Sequence, residues 1–343
     1  MMETILVTGG AGFIGSHFIN SMFRKYPDYH FVVLDALTYA GNPDNFNLLI
    51  KNDNRFEFWY GDVRNSEIVN NLVAQADYVV HFAAETHVAR SIFDNKVFFE
   101  TDILGTQTIC NAILKNNGRI KKLIHVSTSE VYGSAVETPM TENHPLLPCS
   151  PYASAKAGAD RLIYSYWKTY EIPAVIIRPF NNYGPHQHLE KAVPRFITSA
   201  ILNEPLTIHG DGSASRDWIY VGDHCKALDA VLHSENRDLY GKAVNIGTGT
   251  AITIKMIAET VLNKMNKPLD LITYVNDRPG QVEKHVASTE RAKKFLNWEP
   301  ETDFDSGLDL TIDWYASNQR WWEPLRWMRQ IPIKMKDGTV VMH

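Results

Sequence analysis

The sequence has 343 residues, of which 44% are hydrophobic and 21% are charged, and this ordinary composition indicates a folded protein of one large or two modest domains. The net charge of −5 is accompanied by no basic run, which argues against nucleic acid or an anionic membrane as a partner. No signal-peptide pattern or membrane-spanning apolar window is found, and the three cysteines show neither metal-ligand spacing nor a disulfide framework, so we expect no metal and a cytoplasmic location.

The first predicted element is a buried strand that runs into a glycine-rich turn. Residues 4–15 read TILVTGGAGFIG, so that Gly9, Gly12 and Gly15 follow an apolar run at intervals of three. Such glycines provide a tight turn, a close approach to a pyrophosphate and tight packing of the next helix, whose N-terminus attracts anions.

A second predicted strand ends in an acidic residue. The apolar run at 31–34 is followed by Asp35, about twenty residues after Gly15. A carboxylate at this point can bind the hydroxyls of an adenosine ribose, and it repels a 2′-phosphate. We therefore predict NAD rather than NADP as the cofactor.

Strand-like and helix-like segments alternate as far as about residue 182, which predicts a doubly wound parallel α/β sheet of the Rossmann type. Ligands of such sheets lie beyond the carboxyl ends of the strands, where Asp35, Asp62, Ala83, Ala84 and Thr128 fall. The predicted strands are Thr4–Thr8, Phe31–Leu34, Phe56–Gly61, Tyr78–Phe82, Leu123–Ser127 and Ala174–Arg178.

After residue 182 the pattern becomes less regular, and we predict a smaller C-terminal α/β domain that binds the substrate. Two further strands, Trp218–Val221 and Ala243–Ile246, are expected to return to the main sheet, and helices are expected at 253–265 and 289–296. The predicted division assigns 1–182, with strands returning from about 217–248, to the NAD-binding domain. It assigns 183–216 and 249–343 to the substrate domain.

A possible catalytic group follows the strand at 123–127. Thr128, Ser129 and Glu130 lie at the exit of that strand, and Tyr152 and Lys156 come later at a spacing of four. If 152–170 is a helix, Tyr152 and Lys156 share one face, and an ammonium beside the phenol lowers its pKa. The phenolate can then take a hydroxyl proton while hydride leaves the same carbon.

Together these motifs resemble the extended short-chain dehydrogenase/reductases that act on nucleotide sugars, and most closely the dTDP-glucose 4,6-dehydratases. The similar segments extend over nearly the whole chain: TGGAGFIGS, DALTYAGN, YGDVR, HFAAETHVARSI, SPYASAK, NNYGP followed by EK, RDWIYVGDH, NIGTG and DRPG. The resemblance implies a tightly bound NAD that is regenerated in each turnover. It also implies a nucleotide-sugar substrate and a homodimer joined by the helices after Glu100 and Tyr152.

The resemblance also implies roles for individual residues. Tyr152 would take the proton of the sugar 4-hydroxyl, Glu130 would remove the proton from C5, Thr128 would bind near O4, and Lys156 would also hold the nicotinamide ribose. The implied cofactor-binding residues are Gly9, Gly12, Phe13, Ile14, Gly15, Asp35, Thr38, Asp62, Val63, Ala83, Ala84, Tyr152 and Lys156. The implied substrate-binding residues are Thr86, His87, Arg90, Thr128, Asn182, Lys191, Ala192, His209, Arg216, Asn245 and Arg278, with Glu85 near the sugar, while His224 is expected to be a packed polar residue.

Three positions depart from the pattern of the dTDP-glucose enzymes. Ser129 stands where they usually have an aspartic acid that protonates the departing 6-hydroxyl, and a serine hydroxyl is a far weaker acid. Ala89 replaces an aspartate, and His209 replaces a tyrosine near the nucleotide base. These changes leave the base and the sugar open.

Two alternative functions remain at this point. Thr-Ser-Glu also occurs in UDP-glucuronate decarboxylases, so a decarboxylase or a C4 epimerase is one alternative. A non-enzymatic NAD-responsive protein on the same fold is the other. The leading prediction is a nucleotide-sugar 4,6-dehydratase, a lyase.

Overall fold

The computed structural model describes residues 2–116, 118–277, 280, 282–335 and 337–342. Its strands are β1 Glu3–Thr8, β2 Tyr29–Asp35, β3 Phe56–Tyr60, β4 Tyr78–His81, β5 Lys122–Val126, β6 Ala174–Pro179, β7 Asn181–Tyr183, β8 Leu206–His209, β9 Ser215–Tyr220, β10 Ala243–Ile246, β11 Ala251–Thr253, β12 Ile272–Val275, β13 Pro332–Lys334 and β14 Val340–Met342. Its α-helices are α1 Phe13–Lys25, α2 Leu48–Lys51, α3 Ser66–Val73, α4 Val88–Phe93, α5 Lys96–Phe98, α6 Thr106–Lys115, α7 Pro151–Tyr170, α8 Ala192–Leu202, α9 Val221–His233, α10 Ile254–Lys264, α11 Glu290–Leu296, α12 Phe304–Ser317 and α13 Gln319–Trp322.

The main sheet has seven parallel strands in the order β10-β6-β5-β4-β1-β2-β3. Successive side chains of β1 point to opposite faces: Ile5 and Val7 pack with α1 and α9, whereas Leu6 packs with α3 and α6. Both faces are therefore covered by helices, which explains why the central strands are mostly apolar. The predicted doubly wound α/β fold is confirmed, as are the six strands predicted before residue 182.

One prediction about the sheet is wrong. The segment predicted as Trp218–Val221 forms β9, which does not return to the main sheet. It pairs instead with β7 and β11 in a separate three-stranded sheet. An apolar run shows that a strand is buried but does not select its partner, and here the partners lie in loops beyond the strand ends. Only β10 returns, beside β6.

A third apolar cluster lies apart from the two faces of the main sheet. It joins α8, α10 and α12 to β8 and includes the fully buried Tyr183, Tyr315 and Trp322. The predicted helices at 253–265 and 289–296 correspond to α10 and α11. The separate cluster supports the predicted smaller domain, whose exact boundaries stay a prediction.

The C-terminal segment, which sequence reasoning left unassigned, packs across both parts of the molecule. Trp321 donates its indole N–H to Asn45 Oδ1 at 3.0 Å, and Arg329 pairs with Glu204 at 2.6 Å. The β13–β14 hairpin contacts α4, where Ile331 packs on Ala89. In the described part of the chain, no helix is both long and apolar enough to cross a membrane.

Candidate active site

The turn after β5 positions the predicted Thr-Ser-Glu group. Thr128 has an extended backbone and caps a short 3-10 helix, Ser129–Tyr132. Its hydroxyl accepts a hydrogen bond from the Glu130 N–H at 3.2 Å. Thr128 and Ser129 are buried, whereas Glu130 is partly exposed. The strand end therefore presents three adjacent polar side chains in a fixed order.

Helix α7 brings Tyr152 and Lys156 to the same place. The helix begins after Ser150, whose hydroxyl accepts from the Ala153 N–H at 3.1 Å, and Pro151 occupies its first turn. Lys156 donates from Nζ to the Val126 carbonyl at 2.8 Å, directly at the end of β5. Tyr152 is hydrogen-bonded to Thr128. The structure thus brings together the side chains that the sequence separates by more than twenty residues.

Burial, and not Lys156, dominates the pKa of Tyr152. Burial raises the pKa of Tyr152 above that of an ordinary phenol, and the hydrogen bond from Thr128 offsets only part of the rise. Burial also lowers the pKa of Lys156, while Asp102 and Asp160 oppose that shift. Sequence spacing places the ammonium on the correct helix face but does not reveal the desolvation of both groups.

Asp102 is a neighbour of the site that sequence reasoning missed. It lies in the π-helical segment Phe99–Gly105, and its Oδ1 accepts a hydrogen bond from the Glu85 N–H at 2.8 Å. Burial raises the pKa of this carboxyl to about 7, against the opposing charge of Lys156. Asp102 belongs to no motif, and only the folded structure places it near Lys156.

The glycine turn fits a dinucleotide. A Cβ on Gly9 would lie 2.5 Å from the Ala83 nitrogen, and one on Gly15 would lie 2.5 Å from the Gly9 carbonyl oxygen, so neither position has room for a side chain. Gly12 precedes α1 without a side-chain cap, and the first turn of that helix contains no acid. The N–H groups of this turn are therefore available to a phosphate.

Asp35 holds the glycine loop in place, in addition to its predicted contact with a ribose. Its carboxylate accepts N–H groups from Ala11 at 2.9 Å and Leu37 at 2.8 Å, and it thereby holds the glycine loop against the end of β2. Burial raises the pKa of this carboxyl. Each carboxylate oxygen retains acceptor capacity for a ribose hydroxyl.

The remaining predicted cofactor residues surround this turn. Phe13 and Ile14 begin α1, Thr38 is exposed after β2, and Ala83 and Ala84 follow β4. Asp62 is bound bidentately by Arg64, at 2.7–3.0 Å. Val63 is buried beside Gly105.

The predicted substrate residues lie in loops beyond the strand ends, on the far side of the cleft from the glycine turn. Charged side chains hold these loops together. Glu190 is completely buried and accepts hydrogen bonds from Arg90 Nε and the Tyr39 hydroxyl, both at 2.9 Å. Burial favours its neutral form, but His87, Lys191 and two further basic side chains lower its pKa to about 2. Glu190 lies in a recognised motif, yet sequence reasoning gave it no role.

The other predicted substrate residues occupy the loops above the strand ends. Lys191 donates to the Thr86 carbonyl at 3.0 Å, and Ala192 begins α8. Asn182 Oδ1 lies 2.9 Å from His224 Nδ1, so His224 is a packed polar residue as expected and helps to orient Asn182. His209 contacts the Asn276 carbonyl at 3.3 Å, and Arg216 donates to the Ser215 carbonyl at 3.0 Å. Arg278 lies outside the described residues.

Asn245, a predicted ligand contact, has a side chain that is fully buried within β10. Its oxygen accepts from the Tyr132 hydroxyl at 2.6 Å, and its nitrogen donates to the Met140 carbonyl at 2.9 Å. Asn245 therefore belongs to the internal polar network under the site.

Two further buried residues at the cleft were missed. Asp217 accepts hydrogen bonds from residues 248, 249 and 287 at 2.7–3.1 Å and so ties three segments together. His285 lies 3.5 Å from the Ser129 hydroxyl. Among the described residues, no cluster of histidine, cysteine or acidic side chains is suited to a metal ion.

This arrangement can be compared with known proteins. A family model described as GDP-mannose 4,6 dehydratase matches residues 6–311. The low-salt glycan biosynthesis protein Agl12 of Haloferax volcanii is 43% identical, with 92% of this chain and 99% of that protein covered. A dTDP-glucose 4,6-dehydratase of Streptomyces niveus is 38% identical, with 94% and 95% covered.

A solved crystal structure is also similar to this chain. The crystal structure of DesIV, a dTDP-glucose 4,6-dehydratase from Streptomyces venezuelae with NAD and TYD bound, is 39% identical and covers 94% of this chain and 99% of that one, with a TM-score of 0.89. The chain belongs to the nucleotide-sugar 4,6-dehydratase family. The prediction of a lyase on a short-chain dehydrogenase fold is confirmed, and so is the prediction of NAD as its cofactor. Epimerases share this fold as well: the UDP-glucuronic acid 4-epimerase of Bacillus cereus is 30% identical, covers 92% of this chain and 99% of that one, and has a TM-score of 0.85.

Proposed function

We propose that this 4,6-dehydratase converts a nucleoside diphosphate hexose, with dTDP-glucose as the first candidate, to the 4-keto-6-deoxy sugar. The observation that carries the proposal is the meeting of Thr128, Glu130, Tyr152 and Lys156 at the end of β5. The relatives named for dTDP-glucose support the choice of base and sugar.

Each of these side chains has a role that its surroundings support. Tyr152 accepts the proton of the 4-hydroxyl, and Thr128, hydrogen-bonded to it, aligns the phenol with the sugar. Glu130 lies two residues further along the same turn and removes the C5 proton, which the new 4-ketone has made acidic. Lys156, held by the Val126 carbonyl, keeps a cation beside the site.

The residues that fit NAD are those of the glycine turn, together with Asp35, Asp62 and Lys156. NAD held by these residues would supply the hydride acceptor for C4, the hydride donor for C6 and a positively charged ring. That charge matters because the pKa of Tyr152 is raised by burial, and a nearby cation favours the phenolate. The side chain at position 35 is an anion that disfavours a 2′-phosphate.

The test is a panel of nucleotide hexoses incubated with the holoenzyme and analysed by mass spectrometry for the loss of one water. Glu130→Gln should lower the rate of water loss by a factor of about 10² or more, because the base is removed. The same variant should still allow substrate to reduce bound NAD, which near-ultraviolet absorbance reports. Normal product formation by Glu130→Gln, or no water loss from any hexose with the wild-type enzyme, would reject the proposal.

We also propose that the protein is a cytoplasmic homodimer. Phe99 and Leu104 on the π-helical segment and Tyr164 on α7 are large apolar side chains that are 37–49% exposed on neighbouring elements. A second copy would cover them. The absence of disulfides among Cys110, Cys149 and Cys225 is compatible with a reducing compartment. Sedimentation of the wild type beside Leu104→Glu tests the dimer, since the introduced charge should yield monomers.

A further inference from the structure

With serine at position 129, the proposed reaction lacks an acidic side chain to protonate the leaving group. The 6-hydroxyl can leave C6 as water only if its oxygen receives a proton. A serine hydroxyl ionises far less readily than a carboxylic acid. It can pass a proton on efficiently only if another group replaces the proton at once. The surroundings of Ser129 therefore decide how this chain can complete the elimination.

The Ser129 hydroxyl contacts the titratable ring of His285. Its Nδ1 lies 3.5 Å from Ser129 Oγ, and its Nε2 lies 2.6 Å from the Gly133 carbonyl oxygen. A carbonyl can only accept a hydrogen bond, so Nε2 carries a proton. In the neutral ring Nδ1 is then the acceptor, and it takes the hydrogen bond of the Ser129 hydroxyl. Both residues are shielded from solvent, with exposed fractions of 2% for Ser129 and 0% for His285.

Protonation of the ring reverses the direction of this hydrogen bond. With a proton on Nδ1, His285 donates to Ser129 Oγ, and the serine O–H is free to donate elsewhere. Glu130 follows Ser129 in the same turn, so a sugar held beside Glu130 is the acceptor that we assign to this O–H. The nearby imidazole of His144 cannot substitute, because both its nitrogens are bonded to backbone groups of Val136 and Pro145.

We propose that His285 is a positioning residue that supplies a proton through the Ser129 hydroxyl to the departing 6-hydroxyl of the sugar. The inference rests on the proposed function. Ser129 and His285 together would do what a single carboxylic acid does in relatives that have aspartate at this point.

The proposed step balances in atoms and charge. Glu130 takes the C5 proton, the C5–H electron pair forms the C5–C6 double bond, and the C6–O bond breaks with its electrons on oxygen. That oxygen takes the Ser129 proton and leaves as water, while Ser129 Oγ takes the Nδ1 proton and leaves a neutral imidazole. Glu130 returns its proton to C5 when C6 is reduced. Tyr152 gains one proton from the 4-hydroxyl in each turnover and His285 loses one, so exchange with solvent restores both.

The electrostatic surroundings of His285 suit a strong proton donor. Burial lowers the pKa of His285, Arg216 and His144 act in the same direction, and Glu130 opposes them. Phe180 meets the ring in a T-shaped contact, with the two centroids 6.1 Å apart. A lowered pKa makes the imidazolium more acidic, and the rate of water loss should therefore fall as pH rises through that pKa.

The test compares His285→Asn with wild type and with His30→Gln, which removes an imidazole at the opposite end of the sheet, on β2. His285→Asn keeps a donor for the Gly133 carbonyl but has no titrating proton. We expect its water-loss rate to fall by about 10²-fold or more with KM within about threefold, and the decrease of the rate with rising pH to disappear. Reduction of bound NAD and exchange of the C5 hydrogen with deuterated water should persist. His30→Gln should leave rate and pH profile unchanged.

A second pair of variants separates proton supply from structural support. Ser129→Ala should cause the same loss, and combining it with His285→Asn should add little, because both act in one relay. Ser129→Asp placed in the His285→Asn background should restore water loss by about tenfold or more, since the carboxylic acid carries its own proton. A wild-type rate and pH profile in His285→Asn, or a parallel loss of every partial reaction without rescue by Ser129→Asp, would overturn the inference alone. Failure of the wild type to release water from any nucleotide hexose would overturn it together with the proposed function.

Discussion

The two sides of the cleft are built from different kinds of contact. On the cofactor side, backbone atoms approach one another where glycine leaves room, as at Gly9 and Gly15. On the substrate side, ionised side chains such as Glu190 and Arg90 hold loops that are far apart in the sequence. We therefore expect added side-chain atoms to destabilise the cofactor side. We expect the removal of a buried charge to destabilise the substrate side.

The largest effect is expected for Gly9→Ala. The alanine Cβ would meet the Ala83 backbone at 2.5 Å, and the backbone at Gly9 has a positive φ of 69°. Overpacking and left-handed strain together should lower the free energy of unfolding by about 3–5 kcal/mol and reduce the bound NAD content. Gly118→Ala is the matched control, because Gly118 also has a positive φ, of 82°, but open space around it.

Urea denaturation and the NAD content of purified protein measure this difference. Gly118→Ala should lose only about 1–2 kcal/mol, from backbone strain alone, and should keep its NAD. Equal stability of the two variants would show that backbone proximity does not govern the cofactor side.

A smaller effect is expected for Glu190→Gln on the substrate side. Removing the buried charge leaves Arg90 without its carboxylate partner, and because Arg90 is partly exposed the cost should be about 2 kcal/mol. The pKa of Glu190 is depressed from 4.5 to about 2, so its stabilising contribution is complete above about pH 4.5 and is lost as pH falls toward about 2. Thermal denaturation between neutral pH and pH 3 should show this loss in wild type and not in the variant.

The control for Glu190 is Glu299→Gln, which breaks an exposed pair with Lys293. Solvent screens that pair, so the melting temperature and its pH dependence should stay close to those of the wild type. An equal change in both variants would mean that the buried position of Glu190 is irrelevant.

The smallest effect is expected in the C-terminal segment, where the two sides of the molecule are joined. Trp322 is fully buried and donates its indole N–H to the Tyr315 carbonyl at 2.8 Å. Trp322→Phe keeps an aromatic ring but loses this hydrogen bond and some volume, which should cost about 1–2 kcal/mol. Trp327→Phe, at a side chain that is 72% exposed, should change stability by less than about 0.5 kcal/mol. If the urea midpoints of Trp322→Phe and Trp327→Phe coincide, Trp322 lies outside the cooperatively unfolding core.

The local parts of the site could be predicted because their constraints are local. The strand before Gly9, the acid at the end of β2 and the shared face of Tyr152 and Lys156 all follow from residue type and spacing over a few turns. The resemblance of the motifs to nucleotide-sugar dehydratases supplied the reaction, which the comparisons confirm.

What the sequence pattern could not supply were the partners of buried polar groups. Asn245 has the appearance of a ligand-binding residue in its motif, yet its amide completes a network with Tyr132. The partners of β9, the pairing of Glu190 with Arg90 and the contact of Ser129 with His285 each join residues separated by many positions.

The sequence by itself determined the parallel sheet and the cofactor turn, because apolar periodicity and glycine placement act over short stretches of chain. Only the tertiary structure decided which of these groups are desolvated and which charges face them. Desolvation raises the pKa of Tyr152 and Asp102, and the basic groups near Glu190 lower its pKa. These shifts depend on atoms brought together from distant parts of the chain, and no local spacing encodes them.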